Sequence, residues 1–357
     1  MTPRFHRLRV ADIRRETPDA VSISLAVPEE ARTAFAFSCG QYLTLKATID
    51  GEEVRRSYSI CSGVGDPDLR VAIKRVEGGL FSGFANEAIA PGDEIEVMPP
   101  MGRFGVEIHP GEARTFVGFA AGSGITPILS IIRTVLAAEP QSRFFLFYGN
   151  RATGSILFRE ALESLKDRFL DRLSVFHILS RETQDVSVLN GRLDGEKAAL
   201  FLRNVVPASL VDHAFVCGPS EMIDTVEGAL LGLGLPRERV HVERFTPAER
   251  GRARAARPVS ATAAPAALAT VITDGIATEV PVAEGEAVLD AAIRAGLDLP
   301  YSCRGGMCCT CRAKVVDGNV AMEVNYSLEP WEVEAGFVLT CQARPTSGRV
   351  TVDFDQV

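Results

Sequence analysis

Apolar and polar positions change rhythm twice along the 357 residues. Between residues 5 and 108 the apolar runs are short and bounded by turn signals. Tyr42 to Ile49 and Val54 to Ile60 flank Asp50-Gly51, and Pro91-Gly92-Asp93 precedes Glu94-Ile-Glu-Val. Alternating runs joined by glycine-containing turns predict a small antiparallel β-barrel. From Arg114 the rhythm becomes strand, Gly-rich turn, helix: Thr115-Phe-Val-Gly-Phe-Ala, then Gly122 to Gly124, then Ile128 to Leu136. A strand at Phe144 to Tyr148, a helix near Leu157 to Phe169, and strands at Leu173 to Leu179 and His213 to Cys217 continue it. That alternation predicts a doubly wound parallel α/β sheet.

Residues 246–267, TPAERGRARAARPVSATAAPAA, show no apolar periodicity and read as a linker, with a short Ala-Arg helix as the alternative. As a flexible coil of that length it would span about 26 Å. Beyond it, Val271 to Val282 predicts a hairpin over Asp274-Gly275. Val288 to Ala295 predicts an amphipathic helix ended by Gly296, and Cys311 to Met322 a second hairpin over Asp317-Gly318. The expected division is 1–108, 109–245, the linker 246–267, and 268–357.

Composition narrows the function. With 46% apolar and 24% charged residues the chain is globular, and 38 basic against 46 acidic residues leave a net charge of -8, which makes nucleic acid an unexpected partner. The acidity is concentrated: residues 268–357 hold 13 acidic and 6 basic side chains. No run of 18 apolar residues suggests a membrane span, and the N-terminus has no apolar core of signal-peptide length, so a cytoplasmic protein is expected.

Five of the eight cysteines fall in the last sixty residues. Cys303, Cys308, Cys311 and Cys341 have the spacing C-x4-C-x2-C-x29-C, the plant-type pattern in which four thiolates hold a [2Fe-2S] cluster. Zinc sites usually pair two C-x2-C knuckles, and only one such pair is present. A Rieske centre needs two histidines, yet all five histidines precede the linker. The glycines of Arg304-Gly305-Gly306-Met307 allow a tight loop that aims backbone N–H groups at sulfur. Cys309 does not fit the ligand spacing and reads as a small buried side chain. On these residues, 268–357 resembles a plant-type ferredoxin of the β-grasp fold, with a low-potential cluster.

In the barrel, Arg56-Ser57-Tyr58-Ser59 is followed some twenty residues later by Gly78-Gly79-Leu80-Phe81-Ser82. Singly these are weak signals. Together and in that order they resemble the R-x-Y-S and G-x-x-S motifs of the ferredoxin-NADP reductase superfamily. The resemblance implies FAD, with Tyr58 a flat face for its ring system, Ser59 a catalytic hydroxyl near the reactive edge and Arg56 a cation for the diphosphate. Gly79 and Ser82 would donate to phosphate from a helix start, with Phe81 beside them and Lys74 as a further cation. Gly122-Ser123-Gly124-Ile125-Thr126-Pro127 resembles that superfamily's pyridine-nucleotide turn, to which Gly122, Gly124, Thr126 and Pro127 would belong. Cys217-Gly218-Pro219 matches its C-G-P motif, whose catalytic cysteine lies near the nicotinamide, and Phe245 of Glu243-Arg244-Phe245 would stack on the flavin.

Barrel, nucleotide domain and ferredoxin in this order resemble the reductase components that feed oxygenases, and most nearly the reductase subunits of phenylacetyl-CoA epoxidases. The motifs are Arg55-Arg56-Ser57-Tyr58-Ser59-Ile60-Cys61, Tyr148-Gly-Asn-Arg151 and the cysteine loop through Val315. The implied route runs from the nicotinamide to FAD, singly to the cluster, and on to a diiron or other iron centre of an oxygenase component. Reductases for a steroid hydroxylase, an acyl desaturase or a haem acceptor, and a redox carrier that does not turn over nicotinamide, remain alternatives. For the nicotinamide, Phe144 to Asn150 ends without the acidic residue that binds a ribose 2′-hydroxyl, and Arg151 follows. With Arg181 it could pair a 2′-phosphate, so NADPH is expected, with NADH possible.

Overall fold

The computed structural model describes residues 3–245 and 265–356. Its first sheet contains β1 (His6–Thr17), β2 (Ala20–Ala26), β3 (Tyr42–Ile49), β4 (Glu52–Ser59), β5 (Leu69–Lys74) and β6 (Glu94–Met101), with α1 (Leu80–Glu87) between the last two. The order β4-β3-β6-β1-β2-β5 is antiparallel throughout. It closes into the expected barrel where Ile60, just past β4, bridges Val71 of β5. At the β3–β4 turn both Asp50 (φ 51°) and Gly51 (φ 82°) adopt the left-handed conformation that a tight two-residue hairpin requires. Leu8, Val10, Ile23, Leu43, Leu45, Val71 and Val97 fill the interior.

The second sheet is parallel: β7 (Thr115–Ala121), β8 (Arg143–Asn150), β9 (Leu173–Leu179), β10 (His213–Gly218) and β11 (Val240–Arg244), in the order β11-β10-β7-β8-β9. Helices α2 (Ile125–Ala138), α3 (Arg159–Arg168), α4 (Gly195–Asn204) and α5 (Ser220–Gly232) cover it. The order reverses between β7 and β10, and the crevice at such a switch point, beyond the carboxyl ends of the strands, is where doubly wound sheets bind ligands.

The third sheet holds β12 (Ala267–Thr273), β13 (Ile276–Val282), β14 (Arg312–Met322), β15 (Phe337–Leu339) and β16 (Ala343–Asp353) in the order β13-β12-β16-β14-β15. Only β12 and β16 run parallel, and α6 (Val288–Arg294) packs its buried Val288, Leu289, Ala291 and Ala292 on the sheet, a β-grasp arrangement. The short α7 (Pro330–Glu334) precedes β15.

One expectation fails in this module. Asp317-Gly318 is not a turn: β14 is a single strand, with register irregularities on either side of this dipeptide in its pairing with β16. Gly318 has φ 78°, and a Cβ on it would lie 2.3 Å from the carbonyl oxygen of Arg349, so the glycine serves a bulge. Asp274-Gly275 is the expected turn, with both residues at positive φ. Of the expected linker, residues 246–264 lie outside the described residues, and Ala267 already opens β12. Among the described residues no helix is long and apolar enough to cross a membrane.

Candidate functional site: flavin, nicotinamide and cluster elements

At the switch point, the turn after β7 meets the end of β10. Gly122 adopts φ 55° and its carbonyl accepts a hydrogen bond from the Tyr148 hydroxyl at 3.0 Å. A Cβ on Gly124 would sit 2.1 Å from the Cys217 carbonyl oxygen, so no other residue fits without moving β10. Gly218 is enclosed in the same way, by Ala121 and the Met222 side chain. Pro219 caps α5, and Pro127 and Thr126 are buried in the first turn of α2, where the Thr126 hydroxyl donates to the Ser123 carbonyl. The sequence motifs therefore occupy one crevice because backbone must approach backbone there.

Across it lie the ends of β4 and β11. Tyr58 is half-buried against Phe81, ring centroids 5.6 Å apart, and Phe81 is itself fully enclosed in the barrel core. Ser59 donates from Oγ to Oε2 of Glu243 at 3.1 Å. Glu243 pairs in register with Cys217 on the neighbouring strand. Burial pushes the Glu243 carboxyl up to about 8, against the opposing hydrogen bond from Ser59; the group is enclosed although the residue as a whole is half-buried. Burial, and after it the nearby Glu243, holds the Cys217 thiol well above its ordinary range, so it remains a thiol. The motif ending in Phe245, which packs half-buried on the nucleotide-domain core, thus contributes Glu243 as well. That residue gains its place only through the β10–β11 pairing.

Gly79 is the N-cap residue of α1, and a Cβ there would meet Ser82 Oγ at 2.6 Å. The Ser82 hydroxyl closes the loop, donating to Gly79 O and accepting from Val76 N–H, so the α1 terminus offers backbone N–H groups rather than this hydroxyl. Arg56 is exposed, and Lys74 lies 3.4 Å from Asp19. Arg151 and Arg181, both exposed, follow β8 and β9 and are tied together by the bond from Arg181 N–H to Arg151 O. Beside them Asn150, at the end of β8, is buried next to Tyr148.

In the third module the four spaced cysteines lie close enough to perturb one another, Cys303 chiefly with Cys308 and Cys311 chiefly with Cys341. Among the described residues no three His, Cys, Asp or Glu side chains are placed around a single metal ion. This pairing of neighbours fits a two-iron cluster with two thiolates per iron. The neighbouring Cys308 thiol, with the backbone N–H groups of Gly305 and Cys308 3.4 Å from the Cys303 sulfur, lowers the Cys303 pKa against the effect of burial. The Cys341 thiol is lowered chiefly by Cys311, and Gln342 Nε2 approaches it at 3.5 Å. Gly306 (φ 76°) lies so close to Val324 that a Cβ would meet it at 2.9 Å.

The cluster loop lies against the barrel. Arg55 of β4, almost fully buried, donates to Leu299 O at 3.1 Å and to Asp298 at 3.0 Å, with Tyr301 under its guanidinium. Ser57 Oγ donates to Ser302 Oγ at 2.8 Å. On the other flank the buried Glu332 accepts from Arg103 of the barrel module (2.9 Å) and from Arg312 of its own (2.6 Å). Cys309, half-buried, faces the hydroxyl of Tyr42 at 3.4 Å.

Fold and site together define a flavin- and nicotinamide-dependent iron–sulfur reductase. Models of three families match along the chain: the oxidoreductase FAD-binding domain over residues 7–105, the oxidoreductase NAD-binding domain over 119–228 and the 2Fe-2S iron-sulfur cluster binding domain over 271–346. One of the subunits of the 1,2-phenylacetyl-CoA epoxidase of Escherichia coli (strain K12) is 48% identical over 98% of both chains. The ferredoxin reductase component of the 3-ketosteroid-9-alpha-monooxygenase of Rhodococcus rhodochrous is 35% identical over 97% of this chain and 96% of that one. Phthalate dioxygenase reductase shares the fold, with a TM-score of 0.59 and 24% identity over 98% of each chain. The chain belongs to the ferredoxin-NADP reductase superfamily, among the reductases that carry a C-terminal [2Fe-2S] domain. It is an oxidoreductase that transfers electrons from a nicotinamide through a flavin to an iron–sulfur centre.

Proposed function

We propose that the chain supplies electrons to the oxygenase component of a phenylacetyl-CoA epoxidase, in phenylacetate degradation, drawing them from NADPH. The observation that carries the acceptor is the 48% identity to the epoxidase relative across all three modules, against 35% to the steroid-hydroxylase reductase. When bound, FAD takes an electron pair from the nicotinamide and the cluster passes electrons on one at a time.

The chain's own residues position these groups. Tyr58, backed by Phe81, gives the flavin ring a fixed flat face, and Phe245 closes it from the nucleotide domain. The free N–H groups after Gly79, with Arg56 and Lys74 nearby, take the diphosphate. Gly122 and Gly124 let the nicotinamide's diphosphate approach the turn, Gly218 and Pro219 shape the neighbouring wall, and Cys217 fills the space beside the reacting ring without charge. Ser59 and Glu243 form a protonated pair at neutral pH, which keeps a negative charge out of the crevice where the electron pair arrives. Cys303, Cys308, Cys311 and Cys341 hold the cluster.

Reconstitution tests the acceptor: added to the epoxidase oxygenase component and phenylacetyl-CoA, the protein should make NADPH oxidation depend on substrate. NADPH oxidation indifferent to that oxygenase, but accelerated by a steroid hydroxylase, would move the assignment to the second relative's partner. For the nicotinamide, Arg151→Ala should lower kcat/KM for NADPH by about 10- to 100-fold, as loss of a charge-assisted pair of about 1.5 to 3 kcal/mol implies, and leave NADH unaffected. An unchanged NADPH-to-NADH ratio would remove Arg151 from this role.

A further inference from the structure

Tyr42 stands where the flavin strands and the cluster loop meet. It opens β3, directly opposite Ser59 of β4, and is 6% exposed. Its ring packs on Gly102, where a Cβ would lie 2.9 Å away. Its hydroxyl lies 3.0 Å from Thr310 Oγ1 and 3.4 Å from Cys309 Sγ, the two residues between Cys308 and Cys311. Thr44, two residues on and so on the same face of β3, lies 3.5 Å from Thr310 Oγ1 and 3.2 Å from Ser57 Oγ, which donates to Ser302 beside Cys303. A continuous polar seam thus joins the strand carrying Ser57, Tyr58 and Ser59 to the loop carrying three of the four cysteines. Tyr42, Thr44, Ser302 and Thr310 are all buried, so an unmade hydrogen bond here is costly and the loop has one favoured register.

We propose that Tyr42 is a positioning residue for electron transfer: through Thr310 and Cys309 it registers the cluster loop on the flavin strand, and so sets the rate at which the cluster is reduced. The proposal rests on the electron route given above. In the step it governs, one electron leaves the reduced flavin and one ferric iron becomes ferrous. Tyr42 itself exchanges neither electron nor proton, and acts by holding the two ends at fixed separation.

The test uses the full-length protein loaded with FAD and cluster. Tyr42→Phe keeps the ring on Gly102 and removes only the hydroxyl, and Thr310→Val removes its partner from the other side. Rapid-mixing absorbance follows flavin reduction by nicotinamide and cluster reduction separately. Flavin reduction should be unchanged, while cluster reduction slows on the order of 2- to 10-fold in each variant, the worth of one hydrogen bond. The double variant should slow by less than the product of the two single effects, because the two changes share the Tyr42–Thr310 contact while each also breaks one of its own, to Cys309 and to Thr44. Independently of turnover, hydrogen exchange should quicken together over residues 42–59 and 298–312 and not elsewhere. Equal slowing of both reductions, or unchanged cluster reduction and exchange in both single variants, overturns the role of Tyr42. A wild-type protein that reduces its flavin but never its cluster overturns the electron route as well, so the two failures are distinct.

Discussion

The Cys341→Ser protein is expected to reduce its flavin with nicotinamide at the wild-type rate and to deliver nothing to a one-electron acceptor such as a cytochrome. Cys341 follows β15 and pairs with Cys311 inside the core of the ferredoxin module. Serine presents a hydroxyl that stays protonated at neutral pH in place of a thiol already lowered by its neighbours, so one iron loses half its protein ligands. The flavin and nicotinamide residues lie on other sheets and keep their supports. The visible absorption of the cluster and its acid-labile sulfide report the outcome. A variant that retained both, or one whose flavin no longer reacted with nicotinamide, would contradict the division of labour between the modules.

The second large effect concerns stability. Glu139, at the end of α2, is completely buried, and its carboxylate accepts from the Arg114 guanidinium, from Ser142 Oγ at 2.6 Å and from the His109 N–H at 2.9 Å. Arg114 also donates to Glu107 O, so this single carboxylate ties the segment between barrel and nucleotide sheet to α2. Glu139→Ala leaves the buried Arg114 guanidinium with only the exposed Glu112, 3.5 Å away, as a counter-charge, and should cost about 3 to 5 kcal/mol. That should lower the temperature at which flavin fluorescence is released by roughly 6 to 20 °C. Glu163→Ala, which breaks an exposed pair with Arg159, should cost no more than about 0.5 kcal/mol. Burial alone would raise the Glu139 pKa, but the hydrogen bonds led by Arg114 reverse this and hold it below the ordinary value. A depressed pKa contributes stability above the unfolded-state value of about 4.3, lost as the pH falls through the lower folded value. The difference between wild type and Glu139→Ala should therefore be full at pH 7 and shrink only below about pH 4. A difference that vanished between pH 6 and 8 would refute the assignment.

How much of this was legible in the sequence depends on the range over which each signal acts. The cysteine loop, the Gly122–Gly124 turn and the barrel motifs are local, and their residues meet because a few consecutive positions bend in one way. Asp-Gly shows where local reading stops. At Asp50-Gly51 and Asp274-Gly275 both residues take positive φ and the chain turns, whereas at Asp317-Gly318 only the glycine does and the strand continues through a bulge. The dipeptide signals a left-handed glycine, and the partner strand decides what it is for. Contacts between distant segments left no trace at all. The strict need for glycine at 124 comes from a carbonyl 93 positions away at Cys217, and Tyr42 meets Thr310 across 268 positions. Glu243 gains its meaning only when β11 lies beside β10.

The polar contacts of the ferredoxin with the barrel run from Arg55, Ser57, Tyr42 and Arg103 to Asp298, Ser302, Thr310 and Glu332. Between separate molecules polar contacts of this kind, each facing competition from water, give only modest association. On one chain each module meets the other at a local concentration on the order of millimolar, so an intrinsic dissociation constant of about 0.1 mM would still keep the pair together about 90% of the time. Holding the modules together in this way leaves the contact itself weak. A partner that bound the same loop at micromolar strength would displace the barrel without a large change in free energy, and covalent tethering would make internal charging frequent while leaving the charged carrier easy to borrow.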